Sequence, residues 1–169
     1  MSSPAAVVAP PADARLAALW QAHHRDVLAY AQRRASPEVA AEVASSTFAV
    51  LWRRIDDAPE DPLPWLYGVA RRELANQRRS DRRRRSLVTR LSLRRASPTI
   101  APDAADSAVD GVEARAALAR LRPDDREVLM LVAWEGLSPD RAAAALGVTP
   151  ATFAVRLHRA RRRLEAELS

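Results

Sequence analysis

An all-α fold is predicted: two small helical domains joined by a flexible linker, the second containing a helix-turn-helix. Three observations predict it. Ala and Leu dominate while β-branched residues are thin, and only 4 of the 169 residues are Gly, a balance that favours helix over sheet. Apolar residues recur three and four apart through most of the chain, with no alternating strand pattern and no internal repeat. Between residues 86 and 110 that periodicity fades into Ser, Pro, Ala and Asp, which divides the chain in two. The expected organisation is a disordered tail over 1–13, a first domain over 14–85, a linker over 86–110 and a second domain over 111–169.

In the first domain Leu16, Leu19, Trp20, His23, Val27 and Tyr30 fall on one face of a helix from Ala14 to Ala31. Ser36-Pro37-Glu38 opens the second helix with a capping hydroxyl, a Pro in the first turn and an acid at the positive dipole end. That helix runs to about Ile55, with Val39, Val43, Thr47, Val50, Leu51 and Ile55 inward. Pro59, Pro62 and Pro64 punctuate a loop from Asp56 to Pro64. The third helix follows, with Leu66, Val69, Ala70 and Leu74 on one side and Arg71, Arg72, Arg78, Arg79 and Arg82 on the other. Trp20, Trp52, Trp65 and Trp134 are all assigned to the core.

The second domain begins near Val112 with Leu118 and Leu121, and breaks at Arg122-Pro123. A helix from Pro123 to Glu135 carries Asp124, Asp125 and Glu127 in its first turn, as partners of the helix dipole, and stops at Gly136. Ser138-Pro139 starts a short helix that ends at Gly147, a natural left-handed stop. Thr149-Pro150 then starts the last helix, so residues 138–165 read as helix-turn-helix.

Charge and composition narrow the function classes. There is no Cys, which excludes disulfides and thiolate metal sites. Residues 1–11 form a Pro/Ala-rich stretch without a basic n-region, and no window approaches the roughly 20 apolar residues a membrane span needs. A soluble, cytoplasmic protein is expected. All 27 basic residues are Arg, and they are unevenly placed. Residues 63–100 hold eleven Arg against two acids, and residues 151–169 five against two, whereas the segments before each are slightly acidic. Two separated cationic segments suit a polyanion gripped at two places.

Both segments lie on helices with an apolar back. In the last helix Phe153, Leu157, Ala160, Leu164 and Leu168 form the inner stripe. Steps of about 100° then put Ala151, Ala154, Val155, His158, Arg159 and Arg162 outward, with Arg156 and Arg163 on a flank. Small and hydrogen-bonding groups towards base edges, with Arg near phosphates, suit a recognition helix. The plainer reading is a helical hairpin with a basic solvent face; coincidence of caps, turn and basic face favours helix-turn-helix. In the first domain, aromatics beside the basic helix at 64–79 suit stacking of unpaired bases, about 1–3 kcal/mol per stack, although Trp65 fits the core better.

An enzyme is not expected. His23 and His24 adjoin on one helix and His158 lies in the other domain, so neither metal nor triad spacing exists, and no Gly-rich phosphate loop is present. His23, on the apolar stripe, reads as a core histidine. No cofactor is implied.

PWLYGVARRELANQRRSDRRRR (64–85) and LRPDDREVLMLVAWEGLSPDRAAAALGVTPATFAVRLHRARRRL (121–164), in this order and spacing, resemble bacterial RNA polymerase sigma factors of the extracytoplasmic-function class. These belong to the sigma-70 family and keep its regions 2 and 4. The resemblance runs from about Leu16 to Leu168. It implies a protein that binds core RNA polymerase through its β and β′ subunits and directs promoter recognition and transcription initiation. Region 2 would then read and open the −10 element through Arg72, Asn76, Arg78 and Arg79. Its second helix would dock on polymerase through Glu38, Glu42, Ser45, Ser46 and Arg53. Relatives commonly read DAEDLVQETF where this chain has EVAAEVASSTF (38–48), so small residues replace two usual acids. Region 4 would read the −35 element, with Ala154, Val155, His158 and Arg159 at base-contact positions and Arg156 and Arg162 near phosphates. Where relatives often have GTVKSR this chain has ATFAVR (151–156), and the apolar Ala154/Val155 pair suits thymine methyls. The resemblance also implies an anti-sigma factor as a partner. Two other readings remain open on the residues alone: a helix-turn-helix regulator that binds DNA without engaging core polymerase, and a pure protein-interaction module.

Overall fold

The computed structural model describes residues 11–91 and 109–168, with side chains placed for 11–84 and 114–168. Of the expected tail and linker, residues 1–10 and 92–108 lie outside the described residues. The described chain is α-helical throughout: α1 (Ala12–Gln32), α2 (Pro37–Arg53), a 3-10 turn (Ile55–Asp57), α3 (Pro62–Leu91), α4 (Val109–Arg120), α5 (Pro123–Ala133), α6 (Pro139–Leu146) and α7 (Pro150–Leu168). Five helices start on Pro, whose fixed φ suits the first turn and whose missing N–H costs nothing there. The fold class read from the sequence is the one found.

Boundaries moved where Pro and caps compete. The expected loop from Asp56 to Pro64 is shorter, because Ile55–Asp57 closes a 3-10 turn and α3 already starts at Pro62. Ile55 stays buried but belongs to that turn, not to α2. At its other end α3 continues past residue 85 to Leu91. Ser36 occupies the N-cap of α2 but its side chain accepts no capping hydrogen bond. Its hydroxyl instead joins the Glu38 backbone N–H in holding the Glu38 carboxyl below its ordinary pKa, the backbone contribution being the larger.

Val27, Tyr30, Val43, Phe48, Leu51, Leu66 and Leu74 pack the inner faces of α1, α2 and α3, while Val128, Leu131, Phe153, Leu157 and Ala160 join α5 to α7. Each of the Val, Leu and Phe side chains among these, fully buried, contributes about 1.5–3 kcal/mol. Three tryptophans depart from expectation: Trp20, Trp52 and Trp134 remain 40%, 44% and 43% exposed. Trp20 stacks on His24 at 4.2 Å and tilts against Phe48 at 4.6 Å, so its inner side is covered and its outer side is not. Trp20 and Trp52 instead line a shallow apolar hollow with Leu16 and Ala17. Trp134 is the C-cap of α5, beyond the last turn that packs inward. A face at helical period identifies which residues share a side; it does not supply a third helix to cover its edge. Trp65 is half-buried against the core, with the Arg54 guanidinium 5.9 Å from its ring centroid.

The two halves are in contact. Helix α3 lies along α6, and a single apolar cluster runs from α1 through to α7. Gly68 marks the closest approach: a Cβ there would stand 2.9 Å from the Ala145 backbone oxygen, so this crossing requires glycine.

Candidate nucleic-acid interface

The turn between α6 and α7 is built by its own residues. The Ser138 hydroxyl accepts a long capping bond from the Arg141 N–H at 3.4 Å. Gly147 takes a left-handed φ of 65°. Its N–H and that of Val148 close the helix on Ala144 and Ala143 carbonyls at 3.1 and 3.0 Å. The Thr149 hydroxyl accepts from the Thr152 N–H at 3.2 Å and caps α7. Phe153, Leu157 and Ala160 then anchor α7 in the core, which fixes what points out.

Ala151, Ala154, Val155, Arg156, His158, Arg159 and Arg162 are all exposed, as is Arg161, which the sequence reading did not single out. Val155 keeps 50% of its surface, an apolar group in the middle of the basic face. Arg163, expected on the flank beside Arg156, is instead spent internally. It donates to the buried carboxylate of Asp125 and ties α7 to α5. Arg120 likewise donates to Glu167 at 2.6 Å.

The second basic face lies on α3. Leu66, Tyr67, Val69, Ala70 and Leu74 are buried, while Arg72, Asn76, Arg78, Arg79, Arg82, Arg83 and Arg84 are exposed. Several of these groups already have partners. Arg79 donates to the Asn76 side-chain oxygen. Arg78 donates to the Arg34 carbonyl at 3.2 Å, and Arg71 stands 3.6 Å from Asp124. On α2, Glu38, Glu42, Ser45 and Arg53 are exposed and Ser46 is half-buried, along the side away from Val43, Thr47 and Leu51.

A third constellation, invisible to sequence reasoning, joins the halves. Arg34, whose side chain is only 5% exposed, pairs with Glu127 and with the fully buried Glu135, each at 2.8 Å. Arg33 also donates to Glu135. The Tyr30 hydroxyl donates to Glu127 at 2.7 Å, its ring stacks on Tyr67 at 4.7 Å, and the Arg34 guanidinium sits 3.6 Å over it. Burial disfavours the Arg34 charge, but the Glu127 and Glu135 carboxylates beside it outweigh burial and hold the group above its ordinary value. Burial raises the Tyr30 and Tyr67 hydroxyls, so both stay protonated, Tyr30 as the donor to Glu127. At the rim Arg141 donates to both Asp61 oxygens, at 2.7 and 2.9 Å, and these bonds hold the Asp61 carboxyl below its ordinary value. The acids Asp124, Asp125 and Glu127 thus do more than oppose the α5 dipole: each has an arginine partner outside α5, on α3, on α7 and in the turn after α1 respectively.

Among the described residues no cluster of His, Asp or Glu has metal-binding arrangement, and no helix is long and apolar enough to cross a membrane. Two arginine-faced helices in one chain suit a polyanion, and comparison with known proteins agrees. Residues 19–84 match the family profile Sigma-70 region 2, and residues 112–164 match Sigma-70, region 4. The ECF RNA polymerase sigma factor SigL of Mycobacterium tuberculosis is 30% identical over 159 residues, covering 92% of this chain and 89% of that one. The chain belongs to the ECF sigma factors. A second relative, the RNA polymerase sigma factor NccH of Alcaligenes xylosoxydans, is 29% identical over 89% of this chain and 84% of its own. Among solved structures, this ECF sigma factor resembles the sigma factor RpoE in complex with the anti-sigma factor NepR from Bartonella quintana, with a TM-score of 0.65 and 25% identity. That likeness covers 90% of this chain and 95% of the other. CnrH, solved in complex with the cytosolic domain of CnrY, is similar at a TM-score of 0.60 and 25% identity, over 93% and 94% of the two chains.

Proposed function

We propose that this sigma factor seats on core RNA polymerase through its β and β′ subunits and directs transcription initiation by engaging promoter DNA at two elements. The observation that carries this reading is the pair of exposed arginine faces, on α3 and on α7, each backed by its own apolar stripe and matched by its own sigma-70 region. In this reading residues 14–85 and 111–169 act as two units joined through 86–110. Arg72, Asn76, Arg78 and Arg79 engage the −10 element. Ala154, Val155, His158 and Arg159 face bases of the −35 element, with Arg156 and Arg162 on its phosphates. Glu38, Glu42, Ser45, Ser46 and Arg53 face polymerase.

Neither face alone makes enough phosphate contacts to hold free duplex tightly at physiological salt. Carried together on polymerase they act bivalently: once one element is held, the other sees a high effective concentration. Strand opening needs no hydrolysis by this chain, since capture of unstacked bases offsets the cost of unpairing them. The protein works in the cytoplasm, without cofactor or chemistry of its own. Like the sigma factor RpoE, solved in complex with the anti-sigma factor NepR, it is a target for an anti-sigma factor.

The test is reconstitution. Purified chain and core polymerase are expected to co-elute and to start transcription from a discrete set of genomic sites sharing two sequence elements. DNA binding by the chain without co-elution would leave a regulator that does not engage polymerase. Run-off products no different from core alone would overturn the proposal.

A further inference from the structure

Helix α7 is held to its neighbours in two ways that differ in direction. Phe153, Leu157 and Ala160 pack into the core, and apolar contacts of this kind are non-directional, so they fix depth better than rotation. Ionic ties on one flank add the missing direction. Arg163 donates to the Asp125 carboxylate of α5. Four residues on, Glu167 accepts from Arg120 of α4 through its side chain at 2.6 Å and its backbone carbonyl at 2.8 Å. At about 100° per residue Arg163 lies roughly 80° round the helix from Phe153, on the same side as Arg156. A bond at that place resists rotation of α7 about its own axis. Rotation by about 20° would move a group at a radius of about 5 Å by roughly 2 Å, more than a hydrogen bond to a base edge tolerates.

The two partners are unequally placed. The Asp125 side chain is 12% exposed, whereas that of Arg163 keeps 47% of its surface. The acid is the fixed member of the pair, and the arginine is the one within reach of solvent. If Arg163 swung outward it would strand a buried carboxylate, which is unfavourable. Freed, it would stand two turns, about 11 Å, beyond Arg156 on one flank, placed to meet the same phosphate backbone.

We infer that Asp125 is a positioning residue for the −35 face: through Arg163 it sets the rotation of α7 and withholds one arginine from the DNA backbone. The inference rests on the −35 reading of α7 proposed above. Both effects favour discrimination over affinity. A phosphate contact strengthens binding to every sequence alike, so an arginine kept off the backbone lowers the sequence-independent share of binding. A fixed rotation keeps Val155 and Arg159 aimed at base edges, where sequence is read.

Two substitutions break the same bond with opposite effects on charge. Asp125→Asn keeps the size of the side chain and releases Arg163, whereas Arg163→Gln removes the arginine. Affinity of reconstituted holoenzyme is measured across a salt titration, on a mapped promoter and on a panel of its −35 variants. Both substitutions are expected to lower discrimination across the panel by at least about threefold. Asp125→Asn alone is expected to steepen the salt slope, by about 1, with Arg163→Gln keeping the parent slope. Lost stability cannot produce that split, because each substitution removes the same tie. Parent-like discrimination in both would overturn the positioning role, and equal slopes would overturn the withholding of Arg163. A parent holoenzyme indifferent to −35 changes would instead remove the −35 reading itself. A second measurement needs no substitution: phenylglyoxal labelling of the parent holoenzyme, read by mass spectrometry. Arg156 is expected to label readily and to be protected by promoter DNA, while Arg163 labels slowly with or without it. A readily labelled Arg163 that promoter DNA protects would overturn the inference.

Discussion

Helices α3 and α7 carry the same chemistry on different terms. On α7 the exposed face from Ala151 to Arg162 is held out by a buried Phe153–Leu157–Ala160 stripe, and only Arg163, at its edge, is drawn into the protein by Asp125. On α3 the cationic face is partly spoken for: Arg71 meets Asp124, Arg78 reaches the Arg34 carbonyl, and Arg79 is tied to Asn76. The difference teaches that exposure and availability are separate properties. The α7 face is presented as a finished surface, whereas the α3 face becomes fully available only when its internal partners are exchanged for DNA.

The largest effect expected from breaking this comparison comes from the anchor of α7. Phe153→Ala removes a fully buried ring and should destabilise the second half by about 3–5 kcal/mol. Urea denaturation followed by backbone circular dichroism should show an early transition, with a later one retaining the stability of α1–α3. A single unshifted transition would mean that α7 is not anchored as described. Next in size, Arg159→Ala should cost about 1–3 kcal/mol at one promoter position and relax specificity there. Run-off transcription from a panel of −35 variants measures it, and an equal fall across the panel would reassign Arg159 to a phosphate.

Arg72→Ala should weaken binding nearly uniformly across sequences and lower the salt slope of holoenzyme–promoter affinity by about 1. Arg79→Ala should do less, because the side chain must first leave Asn76; equal slopes for the two would erase the contrast between free and engaged arginines. Gly147→Ala, forced to hold a φ of 65°, should lower the stability of the second half by about 1 kcal/mol, read as a small drop in urea midpoint. The smallest effect is expected at the rim. Asp61→Asn deletes an exposed ion pair, normally under about 1 kcal/mol. Because Arg141 lowers the Asp61 pKa in the folded protein, this contribution is present above the unfolded value of 3.8 and lost as pH falls through the folded one. Parent and variant should therefore converge in stability at low pH, and a difference that grew with acid would contradict the pairing.

The sequence disclosed elements better than their assembly. Pro at helix starts, Gly136 and Gly147 at helix ends, and stripes such as Phe153–Leu157–Ala160 are local signals, and each was legible because its partner lies within a turn or two. The outward face of α7 followed from the same periodicity. Burial of the tryptophans did not, since whether Trp20 and Trp52 are covered depends on an element that never packs there. Least legible was the contact between halves. Arg34 and Glu127 are separated by 93 residues, and nothing local distinguishes a buried, paired arginine from a solvated one. Even the acids of α5 had an adequate local explanation in the helix dipole, which concealed their arginine partners.

The central claim, that α3 and α7 address two separate stretches of one promoter, is tested most directly by footprinting reconstituted holoenzyme on a mapped promoter. Hydroxyl-radical cleavage and permanganate reactivity are read for the parent, for Arg72→Ala/Asn76→Ala and for Arg156→Ala/Arg159→Ala. The account predicts two separate protected patches, with the first variant losing downstream opening and the second losing only the upstream patch. Both variants erasing the same single patch would contradict it.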